Sequence, residues 1–140
     1  MGESRFPHIR YIQRYYNAKN RARLTNHEPT LICNNCTGGI LYHWLGLQFR
    51  SPFINLYLTT ADFLSALERL ADFLSTPIDE VKDSRYPYPV GRSQCHGELL
   101  HFMHYDSFTE AYQKWNERKQ RINWDNMGVM LTNWPGETGG

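Results

Sequence analysis

The stretch LICNNCTGG, residues Leu31–Gly39, places a short apolar run directly before two asparagines, a cysteine and a pair of glycines. A run of this kind predicts a buried strand, and the glycines predict a tight turn after it. The apolar segment ILYHWLGL that follows predicts a short buried helix. Strand, turn and helix in this order are typical of α/β proteins, whose ligands collect beyond the carboxyl ends of strands.

Helical and extended patterns alternate along the rest of the chain. Residues 7–25 repeat apolar residues at helical spacing among arginines, which predicts a basic amphipathic helix. Thr59 with Asp62, and Ser107 with Glu110, match capping boxes and each predict the start of a single helix. The segments TLICN, INLYL, GELLHFMHY and GVMLT predict strands, and DSRYPYPV predicts a loop that leads into an edge strand at best.

These patterns predict one α/β domain over residues 1–140, with a mixed, mostly parallel sheet and flanking helices in Rossmann-like layers. The short connection between YPVG and GELLHFMHY requires at least one antiparallel pair. Within the domain we expect a basic N-terminal helix in residues 1–25 and a loose tail in residues 133–140.

Composition narrows the classes of protein and partner. The chain has 140 residues, of which 41% are hydrophobic and 21% charged, as in one globular domain. A net charge of +1 gives no electrostatic reason to expect a nucleic-acid partner. There is no apolar run of the ~20 residues that a transmembrane span needs, and MGESRFPHIR lacks the apolar segment of a secretion signal. Three cysteines without disulfide-framework spacing also agree with a cytoplasmic location.

Charge is distributed unevenly along the chain. Residues 1–25 carry six basic residues and one acid, whereas residues 61–83 carry six acids and two bases. Two copies of the chain could attract each other through such segments, which permits a homodimer. The competing interpretation is that both segments are ordinary solvated helix faces.

A zinc site is the first chemistry to weigh. Cys33 and Cys36 have C-x-x-C spacing, and Cys95 with His96 would complete four ligands. Adjacent residues in an extended segment point to opposite sides, so we expect Cys95 and His96 not to share an ion. The sequence therefore predicts no metal, and the cofactor stays unknown.

Cys36 is the stronger candidate for chemistry. It is expected beyond the carboxyl end of a strand, immediately before Gly38, Gly39 and the start of a helix. Unpaired N–H groups and partial positive charge at a helix N-terminus lower a thiol pKa and hold anions. His104, at the end of another predicted strand, is the candidate base, and His43 is the alternative. The competing interpretation is a plain turn with Cys36 packed in the core.

A second polar group lies where the last helix meets the last strand. Arg118 and Arg121 end the helix, and Asn123, Asp125 and Asn126 enter the strand. Arginine binds phosphate or carboxylate through two parallel hydrogen bonds. The alternative is that Asp125 only caps or pairs within the turn.

The strings LICNNCTGG, YPVG, HFMHY and KWNERKQRINWDNMGVMLT, in that order, resemble the bacterial domain of unknown function 1919, whose members are often labelled exopolysaccharide or capsule biosynthesis proteins. The resemblance spans about Ala22 to Thr132. Family members have serine at position 33, usually tryptophan at position 37, and continue past the last strand. The resemblance implies a polysaccharide setting but no particular reaction.

The combined expectation is a cytoplasmic transferase of exopolysaccharide or capsule biosynthesis that acts on a sugar or an activated sugar donor. The alternative is a non-catalytic module that binds a nucleotide-sugar or another phosphorylated ligand. Cys36, His104 and Asp125 are the predicted catalytic residues. The predicted ligand-binding residues are Asn34, Asn35, Gly38, Gly39, Arg118, Arg121, Asn123 and Asn126.

Overall fold

The computed structural model describes residues 7–132, and side chains from residue 11 onward. The predicted tail at residues 133–140, and residues 1–6 of the predicted N-terminal helix, lie outside this range. Within it the elements are α1 (Pro7–Arg23), β1 (Thr30–Cys33), α2 (Thr37–Leu45), α3 (Thr60–Glu68), α4 (Leu70–Ser75), β2 (Ile78–Val81), β3 (Val90–Ser93), β4 (Leu99–His101), α5 (Phe108–Lys119) and β5 (Met127–Met130).

The strands form two small sheets. β1 and β5 are a parallel pair, with Thr30 opposite Met127 and Cys33 opposite Met130. β2, β3 and β4 form an antiparallel sheet in that order, as the short β3–β4 connection requires. The predicted α/β class and mixed pairing are confirmed. The expectation of one mostly parallel sheet is corrected, because parallel pairing among the described strands is confined to β1 and β5, and the Rossmann-like description therefore applies only loosely. The expectation that DSRYPYPV leads into an edge strand at best is also wrong, because β3 is the central strand of its sheet.

The segment INLYL, predicted as a strand, instead links the two sheets. The Leu58 N–H donates to the Asn34 carbonyl just beyond β1 at 2.9 Å. Tyr57 exchanges backbone hydrogen bonds of 2.8 and 2.9 Å with His101 in β4, which makes one isolated bridge. Asn55 has a φ of 59°, which takes the backbone out of the extended region and limits the pairing.

Both predicted helix starts are confirmed by capping hydrogen bonds. Thr59 Oγ1 accepts from the Asp62 N–H, and Ser107 Oγ accepts from the Glu110 N–H, each at 3.2 Å. The single helix predicted after Thr59 is divided into α3 and α4, because Arg69 (φ −137°, ψ 58°) lies outside the helical region. Across residues 7–132, every helix is too short or too polar to span a bilayer.

An aromatic cluster holds the helices against the linking segment. The ring of Phe53 lies 6.0 Å from that of Phe63, 6.2 Å from that of Phe73 and 5.4 Å from that of Trp115, measured between centroids. All four side chains are fully buried or nearly so. Because aromatic side chains bury large apolar areas, this cluster is the main contact of α3, α4 and α5 with the core.

Gly91 lies in β3 where no side chain fits. A Cβ at this position would overlap Ile78 Cγ2 and lie 3.1 Å from the Phe108 ring and 3.3 Å from the Phe102 ring. We expect Gly91→Ala to lower the free energy of unfolding by about 1–3 kcal/mol through overpacking, as measured by urea denaturation.

Gly128→Ala in β5 is the matched control. A Cβ there would meet the Leu31 Cδ2 atom at 3.4 Å, an ordinary contact. We expect a change within about 0.5 kcal/mol. Equal losses in the two variants would contradict the close packing at Gly91.

Candidate functional site

The central feature of the site is the contact between Cys36 and His104, whose Sγ and Nε2 atoms are 3.1 Å apart. Cys36 occupies the N-cap position of α2, three residues beyond β1. His104 lies in a turn beyond β4, which ends at His101, so the prediction that the strand continues through His104 is wrong. The thiol is buried and His104 is exposed, so the pair lies at the boundary between core and solvent.

The Cys36 thiol is not activated in the way predicted from its position. Burial raises the pKa of Cys36, and the nearby Cys33 thiol raises it further, while a hydrogen bond from its own backbone N–H opposes the shift. The expectation that the helix N-terminus would lower this pKa is therefore corrected. In the resting structure the pair is a neutral thiol facing an imidazole nitrogen.

Gly38 and Gly39 form the first turn of α2 and are buried. A Cβ at Gly38 would lie 3.2 Å from Cys33 Cβ, so the small residue lets the helix start close above β1. The Thr37 N–H donates to Asn35 Oδ1 at 2.9 Å, which caps the helix from the preceding loop. The N–H groups of the two glycines follow next in the turn, where helix geometry provides no acceptor.

The two asparagines predicted to bind a ligand have structural partners instead. The Asn34 side chain accepts from the Thr132 N–H and donates to the Thr132 carbonyl, both at 3.0 Å. Asn35 Nδ2 donates to Thr132 Oγ1, and its Oδ1 atom serves as the helix cap. Both side chains are buried, so their amides hold β1, β5 and the loop together.

The predicted corner around Asp125 lies at the other end of the parallel pair. Asn123 donates from its N–H to Thr30 Oγ1 at 2.8 Å and from Nδ2 to the Glu28 carbonyl at 3.2 Å. Asp125 is exposed, and its N–H donates to Asn123 Oδ1 at 3.3 Å. Cys36 follows β1, whereas Asp125 precedes β5, so the length of a four-residue strand, ~10 Å, separates the two ends. The expectation that Asp125 shares a site with Cys36 is therefore corrected.

Asn126 belongs to the same corner. Its side chain forms a reciprocal pair of amide hydrogen bonds with Asn26, at 2.9 and 2.6 Å, and its carbonyl accepts from the Thr30 N–H. Asn123 and Asn126 therefore have a structural role, while their ligand-binding role stays a prediction. Their hydrogen bonds fix the turn that enters β5.

The two arginines at the end of α5 point to different partners. Arg118 Nη1 donates to the Tyr105 hydroxyl at 2.8 Å, and its guanidinium lies 5.3 Å from the Phe49 ring centroid. Arg121 Nη1 donates to the Phe49 carbonyl at 3.3 Å. Because Tyr105 follows His104 directly, Arg118 supports the turn that carries the imidazole.

His43 and His101 lie away from the Cys36 thiol. His43 lies in the last turn of α2, at the opposite end of that helix from Cys36. His101 is buried among the rings of Tyr57, Tyr86 and Tyr88, and burial lowers its pKa. The structure thus selects His104 as the imidazole beside the thiol.

The expectation that Cys95 and His96 point to opposite sides is wrong. Residues 94–96 form a turn rather than an extended segment, and Cys95 Sγ lies 3.4 Å from His96 Nδ1. Among the described residues the group that could hold a metal consists of Cys95, His96 and Glu98, without Cys33 or Cys36. Sequence spacing missed Glu98 because a lone glutamate after a glycine carries no distinct signal.

We expect Cys36 to react with iodoacetamide slowly at neutral pH, with a rate that rises into the alkaline range. The thiolate is the reacting form, so a raised pKa moves the rise in rate to higher pH than for an unperturbed thiol, ~8.5. Peptide mass spectrometry over a pH series measures this, with the partly exposed Cys95 as an internal reference for the reagent. A rate already at its plateau at pH 7 would contradict a raised pKa of Cys36.

We expect Asn34→Asp to lower the free energy of unfolding by at least about 2 kcal/mol, because it removes the donor to Thr132 and buries a carboxylate. Asn26→Asp is the control, since this residue is exposed. Its loss should stay below about 1 kcal/mol in the same denaturant titration. If Asn34→Asp cost no more than Asn26→Asp, the role assigned to the buried amide would be wrong.

Comparison with known proteins identifies the family of this chain. A family model described as a domain of unknown function (DUF1919) matches residues 8–138. A protein of Haemophilus influenzae (strain ATCC 51907 / DSM 11121 / KW20 / Rd) that carries only the name "Uncharacterized protein" is 40% identical over 128 residues, which is 90% of this chain and 60% of that protein. The chain thus spans about 60% of the length of this relative. Since the family model matches nearly the whole chain, the protein belongs to the family of the domain of unknown function 1919.

Proposed function

We propose that this chain is a transferase domain of bacterial surface-polysaccharide assembly, in which Cys36 is the nucleophile and His104 the general base. The observation that carries the proposal is the 3.1 Å separation of Cys36 Sγ and His104 Nε2. A cysteine paired with a histidine at this distance has the arrangement of an activated nucleophile. The polysaccharide setting is proposed from the resemblance to members of the family that are labelled exopolysaccharide or capsule biosynthesis proteins. The cytoplasmic location is proposed from the cysteines, which lack the spacing of a disulfide framework.

The raised pKa of Cys36 determines how the pair would act. Because the resting thiol is protonated, His104 Nε2 accepts its proton while sulfur attacks an activated acyl donor. A thioester forms, and the donor's leaving group departs with the proton from His104. A sugar hydroxyl then attacks the thioester carbon and gives its proton to His104, and the proton returns to sulfur as the ester leaves. Acyl transfer to a sugar is therefore the version of the reaction that sulfur chemistry favours.

The first turn of α2 supplies the second requirement of acyl transfer. The N–H groups of Gly38 and Gly39 lie at the positive end of the helix, adjacent to Cys36. Donors at such a position stabilise the oxyanion that forms when a carbonyl is attacked.

A groove lined in part by residues 106–109, which follow His104 in the chain, is the candidate for binding a sugar acceptor. It has a volume of about 390 Å³, and Asp106, two residues after His104, is part of its lining. Tyrosine rings and prolines provide flat apolar walls, and carboxylates provide hydrogen-bond acceptors for hydroxyl groups. The lining residues are Glu80, Tyr86, Pro87, Tyr88, Pro89, Asp106, Ser107, Phe108 and Thr109.

The second candidate is a non-catalytic module for a nucleotide-sugar or another phosphorylated ligand. The observation that favours it is the same helix N-terminus, since backbone N–H groups bind phosphate as well as an oxyanion. Against it stand the contacts of Arg118 with Tyr105 and of Arg121 with the Phe49 carbonyl, which use donors that a phosphate would need. A ligand that stabilises the protein and is recovered intact would support the module.

We expect wild-type protein incubated with 4-nitrophenyl acetate to release nitrophenol and to form an acetyl adduct on Cys36, detected by peptide mass spectrometry. Cys36→Ala should form no adduct in this segment. His104→Gln should slow acetylation by roughly 10²-fold, because the proton acceptor is lost.

Cys33→Ser is the matched control, because it changes the neighbouring buried thiol to the residue expected in other family members and leaves Cys36 in place. We expect its rate of acetylation to stay within about 3-fold of wild type, a difference of less than 1 kcal/mol in activation free energy. Acetylation of Cys36 at an unchanged rate in His104→Gln would rule out His104 as the base. Failure of sugars to accelerate release of the acetyl group would favour the binding module.

A further inference from the structure

A second sulfur–imidazole contact lies in the turn between β3 and β4. Ser93 organises this turn: its carbonyl accepts from the Gly97 N–H at 3.0 Å, and its Oγ accepts from the Cys95 N–H at 3.1 Å. Gly97 has a φ of 78°, which brings the chain back sharply. The turn thereby gathers ligand atoms of Cys95, His96 and Glu98 within 4.8 Å of one another.

The separations between these atoms match the edges of a tetrahedral metal site. Cys95 Sγ lies 3.4 Å from His96 Nδ1, and Nδ1 lies 3.5 Å from Glu98 Oε1. Bonds of about 2.3 Å to sulfur and about 2.0–2.2 Å to nitrogen and oxygen place neighbouring ligands of a tetrahedral zinc ion roughly 3.3–3.6 Å apart. Two of the three separations therefore have the length of such an edge, and all three ligand atoms lie within 4.8 Å of one another.

The carboxylate of Glu98 gives independent support. This side chain is 1% exposed, and it accepts hydrogen bonds from the Ser65 hydroxyl at 2.8 Å and the His96 N–H at 3.1 Å. Within the described part of the chain, the basic side chain in ion-pair range of this carboxylate is His96, whose Nδ1 atom lies 3.5 Å from Oε1. A buried carboxylate without lysine or arginine is typical of a cation site.

The geometry does not fit a catalytic relay. In a nucleophile–histidine–carboxylate triad the two ring nitrogens contact different partners. Here the thiol of Cys95 and the carboxylate of Glu98 both approach Nδ1 of His96. Three ligand atoms around one volume are the arrangement that an ion requires, and not the one that proton transfer requires.

We propose that Cys95, His96 and Glu98 bind a Zn²⁺ ion through Sγ, Nδ1 and Oε1. Mixed sulfur, nitrogen and oxygen ligands suit zinc, whereas magnesium and calcium prefer oxygen alone. Three protein ligands leave the fourth position to water, on the side where His96 is half exposed. Ser65 keeps its hydrogen bond to the carboxylate and orients it from α3.

The test uses the full chain stripped of metal with a chelator and titrated with Zn²⁺ against a chromophoric competitor, and separately with Co²⁺. We expect one equivalent of Zn²⁺ to bind, and Co²⁺ to give the near-ultraviolet charge-transfer band of a thiolate ligand. Cys95→Ser should abolish that band, and Cys95→Ser and His96→Ala should each weaken Zn²⁺ binding at least 10-fold.

Cys36→Ser and His104→Gln are the matched controls, because they alter the other cysteine–histidine contact. Both should bind Zn²⁺ within 2-fold of wild type. Glu98→Gln should also weaken binding at least 10-fold; circular dichroism checks its fold, and Cys95→Ser and His96→Ala decide the question if it unfolds. Absence of stoichiometric binding, or unchanged affinity in Cys95→Ser and His96→Ala, would overturn the proposal.

Discussion

The hydrogen bonds of Asn34 control how the two sheets and the loop of residues 34–36 meet. Its side-chain amide makes the two hydrogen bonds with Thr132 that a neighbouring strand would make, both at 3.0 Å. Its backbone carbonyl accepts from the Leu58 N–H at 2.9 Å, so the same residue also joins the linking segment. An unpaired buried amide costs about 1–3 kcal/mol, and this cost disfavours other conformations of the loop. The chain can then leave the sheet after Cys33 without losing contact with the end of β5.

The position of His104 relative to Cys36 follows from the same connections. Leu58 is hydrogen-bonded to Asn34, and its neighbour Tyr57 is paired with His101. His104 follows His101 after one short turn. Two short routes therefore start at the end of β1. One follows the chain from Asn34 to Cys36, and the other passes through these backbone hydrogen bonds to the turn that carries His104. The turn that carries His104 is further supported through Tyr105, whose hydroxyl accepts from Arg118. The contact is thus a property of the assembled fold and not of the loop alone.

Local sequence signals accounted for the parts of the fold that depend on neighbouring residues. The sequence predicts the helix caps at Thr59 and Ser107, and it predicts β1 and β5 as strands. Each of these features is determined by a few adjacent side chains. The linking segment could not, because its pairing depends on Asn55, whose positive φ has no distinct sequence signal. The end of β4 at His101 could not be predicted either, because the apolar pattern of the strand continues into the turn.

Topology alone could have corrected one part of the predicted site. In a parallel pair, a residue that follows one strand and a residue that precedes the other lie at opposite ends. Cys36 follows β1 and Asp125 precedes β5, so their separation was implicit in the predicted parallel pairing. The roles of Asn34 and Asn35 could not be deduced in this manner, because their partner Thr132 is almost a hundred residues away in sequence. Polar residues in a specific motif are as compatible with fold-holding hydrogen bonds as with ligand binding.

The two cysteine–histidine contacts have similar atoms but different neighbouring groups. Cys36 meets Nε2 of His104 at a helix N-terminus, where N–H groups favour developing negative charge. Cys95 meets Nδ1 of His96, the ring nitrogen that also approaches the buried carboxylate of Glu98. A helix N-terminus beside a thiol is compatible with the proposed transfer reaction, because in that reaction negative charge would develop there only as the bond forms. A carboxylate beside a thiol places negative charge there in the resting state. A bound cation would neutralise this charge, whereas the charge would disfavour formation of a thiolate nucleophile.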